Sequence, residues 1–369
     1  MTHPRVALVQ DWLTGMRGGE KVLEALCEMF PDAVIFTLLH VPGSVSATIE
    51  RHEIRTSFIQ HLPASATKYR NYLPLFPLAI SRFDLSGFDL IISSSHCAAK
   101  AIPTPKGVPH LCYCHTPMRY IWNLYNDYFG PGRAGLLTRA AMRSILGSLR
   151  RWDVQTASHP TLFIANSENI RQRIKDIYNR DAVVVYPPVD VTPGSGPSIN
   201  KGFFLMVTAM VPYKRVDIAI EACNRTGDRL VIVGTGPDRQ RLERIAGPSV
   251  EFRGWASDEE VRELYSSCAA LLFPGEEDFG MVPVEAMAFG KPVIAFAKGG
   301  ALETVRDTPS IRTGILFNEQ TAESLQEAIS TFKKTIFNAE IIRNFALQFD
   351  KSAFRRSFSK YLPPEFLQL

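Results

Sequence analysis

What most constrains this chain's fold is an alternation, repeated in both halves, of short unbroken apolar runs with longer segments patterned for helix. In the first half the runs Val6–Gln10, Val34–Leu38, Asp89–Ser93, Leu111–Cys114, Leu162–Ala165 and Val183–Tyr186 read as strands. In the second half Phe203–Val207, Leu230–Val233, Val250–Phe252, Ala270–Phe273, Pro292–Ala295 and Ile315–Phe317 do the same. Runs continuous in Val, Ile, Leu and Phe suit strands covered on both faces. Strand–helix alternation gives right-handed βαβ units, so the predicted class is α/β with open parallel sheets.

A chain of 369 residues exceeds one ordinary core. The segment from Pro187 to Pro197 holds four prolines and two glycines in eleven residues, which neither a helix nor an inner strand accommodates. It divides the chain into a predicted Rossmann-like domain over 1–188, a linker over 189–200 and a second Rossmann-like domain over 201–348. The tail 349–369 carries Phe354 and Phe358 at helical spacing and is expected to return to the first domain. Helices are expected over Glu20–Met29, over Glu168–Tyr178 after Ser167, and over Asp258–Ser267, where Ser257 and Glu260 have capping-box spacing. Ligands of open parallel sheets sit outside the carboxyl ends of the strands. Two such sheets are expected to face each other across a cleft.

Composition excludes several classes. Hydrophobic residues make up 46% and charged residues 21%, a globular balance, and the net charge of +4 is too small to argue for nucleic acid. The charge is uneven: residues 1–195 hold 20 Lys/Arg against 15 Asp/Glu, and residues 100–151 hold eight basic residues against the one acid Asp127. Cys27, Cys97, Cys112, Cys114, Cys223 and Cys268 form no Cys-x-x-Cys pair, so buried thiols are expected rather than a zinc site. The N-terminus runs straight into a strand, and no run approaches the ~20 apolar residues of a membrane span. A cytoplasmic protein is expected. The segment from Lys68 to Arg82, rich in leucine, aromatics and cations, together with Arg139, Arg143, Arg150 and Arg151, predicts peripheral contact with the inner membrane surface.

The densest chemical signal runs from Phe273 to Val293. It reads as a strand, a loop and a helix starting near Gly280, with Phe279 and Met281 on either side. Uncapped N–H groups at such a start make an anion site suited to diphosphate. Glu277, in the loop, can accept hydrogen bonds from sugar hydroxyls; Glu285, about a turn into the helix, can accept them from a ribose. In the first half, Gly15-Met-Arg-Gly18-Gly19-Glu20-Lys21 turns between the first strand and the first helix. His115 closes a strand and points to its carboxyl end, with Arg119 four residues on, and Asp11 ends the first strand.

Glu277, Glu285, Ala286, Ala288, Gly290, Pro292 and Val293 resemble the signature of glycosyltransferase family 4, of the GT-B fold. The resemblance extends from Asp11 to about Phe317. It implies that Lys214, with Asp217 after it, faces the donor diphosphate. Gly234 and Gly236 are then the turn below the nucleotide, Arg253 belongs to the segment that meets the base, and His115 contacts the transferring sugar. It further implies that the loop carrying Gly15, Gly18 and Gly19 touches donor phosphate and acceptor, and that Asp11 and Arg119 line the acceptor side. Where the family has an arginine, this chain has Ala209: either Arg215 compensates, or activity is reduced, or the chain is inactive.

The implied activity is metal-independent, retaining transfer of a sugar from a nucleoside diphosphate to a saccharide or polyprenyl-linked acceptor, with His115, Lys214 and Glu277 as the catalytic group. The donor is then a substrate and no cofactor is needed. Asp11-Trp-Leu-Thr-Gly, Tyr-Cys-His-Thr-Pro and Pro-Tyr-Lys-Arg are most like the mannosyltransferases of bacterial polysaccharide assembly, which points to GDP-mannose. Two rival readings are a GT-B nucleotide-sugar epimerase and a catalytically weak or silent subunit with a scaffold role, which Ala209 favours. A nicotinamide dehydrogenase is disfavoured, because no Gly-x-Gly-x-x-Gly follows the first strand.

Overall fold

The computed structural model describes residues 4–367, apart from 123–124, 126–128, 131–134 and 193–199. Asp127 and most of the proline-rich linker therefore lie outside the described residues. By its contacts the chain forms two units, Met1–Pro188 with Phe354–Leu369, and Val189–Ala353.

The first unit is built on a seven-stranded sheet: β1 (Val6–Gln10), β2 (Val34–Thr37), β3 (Ile54–Thr56), β4 (Leu90–Ser95), β5 (His110–Cys114), β6 (Leu162–Ala165) and β7 (Ala182–Val184). Their order is β3-β2-β1-β4-β5-β6-β7 and every pairing is parallel. The helix Gly18–Met29 follows β1 and buries Val22, Leu23, Ala25 and Leu26. They join Leu8, Ile35, Leu90 and Ile92 of the sheet in one cluster. Phe354 and Phe358, on the helix Lys351–Ser359, complete it, and the Phe354 ring meets Tyr113 edge-on at 5.8 Å. Burying each of these rings is worth about 2–3 kcal/mol, which attaches the C-terminal segment to this unit. The opposite face packs Ala7, Val9, Phe36 and Ile91 against Trp12, Leu73, Phe76 and Ile80.

The second unit carries a six-stranded parallel sheet: β8 (Phe203–Val207), β9 (Arg229–Val233), β10 (Val250–Gly254), β11 (Ala270–Phe273), β12 (Val293–Phe296) and β13 (Gly314–Phe317). The order is β10-β9-β8-β11-β12-β13. Its core joins Phe204, Met206, Ile232, Leu272 and Ile294 to Val216, Ile220 and Cys223 of the helix Val216–Thr226. In each sheet the chain starts near the middle and later crosses to the other side. The crossing leaves a crevice at the strand ends, between β1 and β4 in one unit and between β8 and β11 in the other.

Differences from the sequence expectation lie where polar residues carry strand. β3 was not predicted; it has three residues and none of them is fully buried. β4 runs past the apolar run to Ser95, because Ser93, Ser94 and Ser95 are buried and pair with Cys112, Tyr113 and Cys114. The first helix begins at Gly18, two residues early, where Glu20 folds back on the Arg17 N–H at 3.1 Å. The segment 68–82 is a run of short helical turns with Tyr69, Leu73, Phe76, Ala79 and Ile80 buried, so much of its apolar content serves the core. Leu75 and Leu78 remain exposed. All six cysteines are buried.

Candidate functional site

In the second unit the chemistry gathers at the carboxyl ends of β8 and β11, which are neighbours in the sheet. Beyond β8 a short 3-10 turn, Pro212–Lys214, ends at Arg215, whose φ of 51° reverses the chain into the next helix. Beyond β11 the loop passes so close that a Cβ on Gly275 would lie 2.9 Å from the Lys214 Cα. That approach brings Lys214 and Glu277 together as an ion pair between Nζ and Oε1, with side chains 16% and 21% exposed. The Glu277 carbonyl accepts from the Gly300 N–H at 2.8 Å, so the loop is fixed from the β12 side as well.

Gly280 follows with φ 87°, a conformation that favours glycine, and opens the helix Met281–Ala288. No side chain caps this helix, and Pro283 in its first turn has no N–H. The outward N–H groups at its start are those an anion would take. Phe279 is buried and packs on Phe349 at 5.5 Å between ring centres, so a ligand would meet its backbone rather than its ring. Met281 is half-buried. Glu285 accepts from the Tyr265 hydroxyl at 2.9 Å, a bond between the helices Asp258–Ser267 and Met281–Ala288.

Gly234 lies beyond β9, where a Cβ would stand 1.9 Å from the Thr208 carbonyl oxygen, and one on Gly236 would stand 2.4 Å from that of Met210. Both turns therefore press directly on the loop carrying Ala209, which is exposed. Two predicted residues are otherwise engaged. Arg215 pairs with Asp217 at 3.2 Å and with Gln320 at 3.3 Å. Arg253 turns along its own strand to Glu251 at 2.5 Å, an exposed pair.

The first unit has its own polar cluster, at the ends of β1, β4 and β5. Gln10 sits opposite Ser94 in register, and the next positions out are Asp11, His96 and His115. His115 is half-buried, and its Nε2 is 2.8 Å from Ser94 Oγ. Burial first, and His96 second, push its imidazole down to about 3, so the ring is neutral at ordinary pH. Gly19, in the first turn of the helix Gly18–Met29, is close enough that a Cβ there would lie 3.4 Å from Gln10 Nε2 and 3.6 Å from His115 Nε2. Gly18 is the first residue of that helix and Gly15 lies in the loop before it. Arg119 is half-buried beyond His115.

Asp11 is fully buried and accepts four backbone N–H bonds, from His96, Cys97, Ala98 and Ala99, at 2.5–3.0 Å. Burial raises its carboxyl, but His96 and these donors outweigh that and hold it below the usual range. Its oxygens face the turn rather than a ligand, which differs from the acceptor-lining place expected of it. The cluster includes residues the sequence did not single out for chemistry. Glu20 is buried and pushed up chiefly by that burial. Both amide atoms of Gln10 are buried without a hydrogen-bond partner, and His96 pairs with Asp11. Only the polar residues inside the apolar run of β1 and the Ser-Ser-Ser-His96 stretch hinted at this.

Comparison with known proteins agrees with these two halves. Residues 194–344 match the family model for glycosyl transferases group 1, and residues 16–192 match that for glycosyltransferase family 4. An uncharacterized glycosyltransferase of Methanocaldococcus jannaschii is 25% identical over 294 residues, 76% of each chain. A GDP-mannose-dependent alpha-mannosyltransferase of Mycobacterium tuberculosis is 40% identical over 111 residues, 30% of this chain and 28% of that protein. Glycogen synthases of Pseudomonas syringae are 27% identical over 238 residues, 60% of this chain and 46% of those proteins. Among solved structures, HepE of Anabaena in complex with UDP-glucose superposes with a TM-score of 0.67 at 20% identity, covering 96% of this chain and 98% of that one. The chain belongs to glycosyltransferase family 4 and has the GT-B fold, two Rossmann-like domains each built on a parallel sheet.

Proposed function

We propose that this glycosyltransferase moves mannose from GDP-mannose, with retention of anomeric configuration, to a hydroxyl of a saccharide or polyprenyl-linked acceptor in bacterial polysaccharide synthesis. The observation that carries the donor side is the Lys214–Glu277 pair beside the uncapped start of the helix at Gly280. A diphosphate seated on those N–H groups draws Lys214 to its oxygens and neutralises charge as it leaves. Glu277, released from the lysine, then accepts hydrogen bonds from the sugar. Glu285 accepts from the ribose and the backbone beyond β10 meets the base. His115, neutral by burial, contacts the sugar as hydrogen-bond partner rather than as a cation. The acceptor oxygen attacks the anomeric carbon on the face from which the diphosphate departs, the bond from that carbon to the phosphate oxygen breaks, and the acceptor proton passes to the departing diphosphate.

Mannose is favoured by the resemblance of the motifs and by the name of the mycobacterial relative. The HepE structure holds UDP-glucose, which makes UDP-glucose the donor to test beside it. Among the described residues no helix is long and apolar enough to cross a membrane. Exposed Leu75, Leu78, Arg143 and Arg151 support peripheral attachment to the cytoplasmic face of a membrane.

One observation favours a second reading, a weak or silent subunit. Ala209 leaves the arginine position empty of charge, and Arg215 is held by Asp217 and Gln320. Ala209→Arg raises turnover if the chain is a weakened enzyme and changes nothing if it is a scaffold. The donor test is a thermal-shift series with GDP-mannose, UDP-glucose and ADP-glucose, since a ligand of the folded state raises Tm. The cognate donor stabilises the wild type, and transfer is lost in Glu277→Ala. Undiminished transfer in that variant would remove the site from consideration.

A further inference from the structure

We infer that His96, held in place by Asp11, accepts a hydrogen bond from the hydroxyl group of the acceptor substrate; this rests on the transferase reading above. The His96 Nδ1 lies 3.0 Å from Asp11 Oδ2. Asp11 is ionised, so it accepts, and Nδ1 carries the proton. In neutral imidazole the lone pair is then at Nε2. Among the described residues no hydrogen bond is made at that atom, and the side chain is 22% exposed. The Trp12 ring stands edge-on to the imidazole at 4.5 Å between centres and holds its plane.

Asp11 does not need the imidazole. Its two oxygens already take four backbone N–H bonds. The pair therefore serves the ring: it fixes one tautomer and one orientation, the usual result of a carboxylate behind a histidine. His96 directly follows β4, at the crevice between β1 and β4, where an open parallel sheet takes its ligand. The neighbours are polar: His115 with its ring centre 6.3 Å away, and Glu20 on the following helix. Gln10, buried with both amide atoms unpartnered, adds hydrogen-bonding capacity in the same corner. Such a setting suits a sugar or polyol hydroxyl rather than an apolar group.

The charged and titratable groups facing His96 are Asp11 from β1, Glu20 from the helix and His115 from β5, with Arg17 beside Glu20 and Arg119 beside His115.

The test compares wild type, His96→Ala and His96→Gln with the cognate nucleotide sugar, radiolabelled in the sugar, and a panel of alkyl glycosides and polyols as acceptors. Donor affinity is followed separately by titration with the nucleoside diphosphate. His96→Ala should raise acceptor KM about 10-fold or more, the loss of one hydrogen bond to a polar group, with nucleoside diphosphate affinity unchanged. His96→Gln, whose amide oxygen accepts a hydrogen bond, should recover most of that loss. Nitrogen NMR of the wild-type imidazole should report a proton on Nδ1 and a bare Nε2. An unchanged acceptor KM in His96→Ala, no recovery in His96→Gln, or the opposite tautomer would each overturn the inference while leaving the transferase reading intact. A wild type that binds no nucleotide sugar, or binds one and transfers to nothing in the panel, would overturn both.

Discussion

Neutralising Glu277 should change two measurements in opposite directions. Without a ligand, Glu277 holds Lys214 in an ion pair whose side chains are 16% and 21% exposed. That pair lies between an exposed one, about 0.5 kcal/mol, and a well-buried charged hydrogen bond, about 3 kcal/mol; about 1–2 kcal/mol is a fair middle value. A diphosphate has to break the pair to recruit Lys214, and it must also approach the carboxylate's negative charge. Glu277→Gln keeps the side-chain shape and removes both obstacles. Nucleoside diphosphate alone should then bind about 5–30-fold more tightly, the equivalent of ~1–2 kcal/mol. Sugar transfer should fall by about 10–100-fold or more, because charged hydrogen bonds to the sugar hydroxyls are worth ~1.5–3 kcal/mol each. Calorimetric titration with GDP and UDP measures the first, and transfer of labelled sugar the second. Weaker or unchanged diphosphate binding in Glu277→Gln would refute the idea that Lys214 moves from carboxylate to phosphate.

Other substitutions probe the same framework. Lys214→Ala should lower kcat by about 100–1,000-fold, as loss of one preorganised charge-stabilising group does, while leaving Tm within a few degrees; a small effect on kcat would place the lysine outside the reaction. Gly234→Ala should unfold the second unit's nucleotide turn, because the new Cβ meets the Thr208 carbonyl oxygen at 1.9 Å, and a wild-type urea midpoint would contradict the packing described. Asp153→Ala should cost about 3–5 kcal/mol, since it strands buried Lys100, whose Nζ is 3.1 Å from Oδ1, and removes the partner of Trp122 Nε1 and Tyr178 Oη. His110, fully buried between Ser93 and Thr104, has its imidazole pushed from 6.5 down to about 3 by burial and, less, by His159. The unfolded chain therefore binds one more proton below about pH 6.5, and stability falls as pH drops toward 3, by about 1.4 kcal/mol per unit from this group. Urea unfolding between pH 6 and pH 4 should lose that slope in His110→Gln; equal slopes would contradict it.

The strand–helix plan was readable because inner parallel strands are apolar on both faces, and twelve of the thirteen strands overlap the apolar runs. β3 escaped because three half-exposed residues carry no period. The end of β4 escaped because Ser94 and Ser95 are polar yet buried by pairing with β5. The donor-side residues were legible from one segment, since Gly280, Glu277 and Glu285 lie within nine positions of each other. The His96–Asp11 pair was not. It joins residues 85 apart, and only the β1–β4 neighbourhood created by the crossover brings them together. Nor does sequence reveal that Arg215 is held by Asp217 and Gln320, because a cation beside an acid reads the same whether it faces ligand or neighbour. Arg253 shows the same limit, turning to Glu251 two residues back.

The most direct measurement is a crystal structure of the chain with bound GDP or UDP. The phosphates should sit on the Gly280–Met281 amides with Lys214 Nζ moved from Glu277 onto a phosphate oxygen. Phosphates seated elsewhere, with the Lys214–Glu277 pair still closed, would contradict the account.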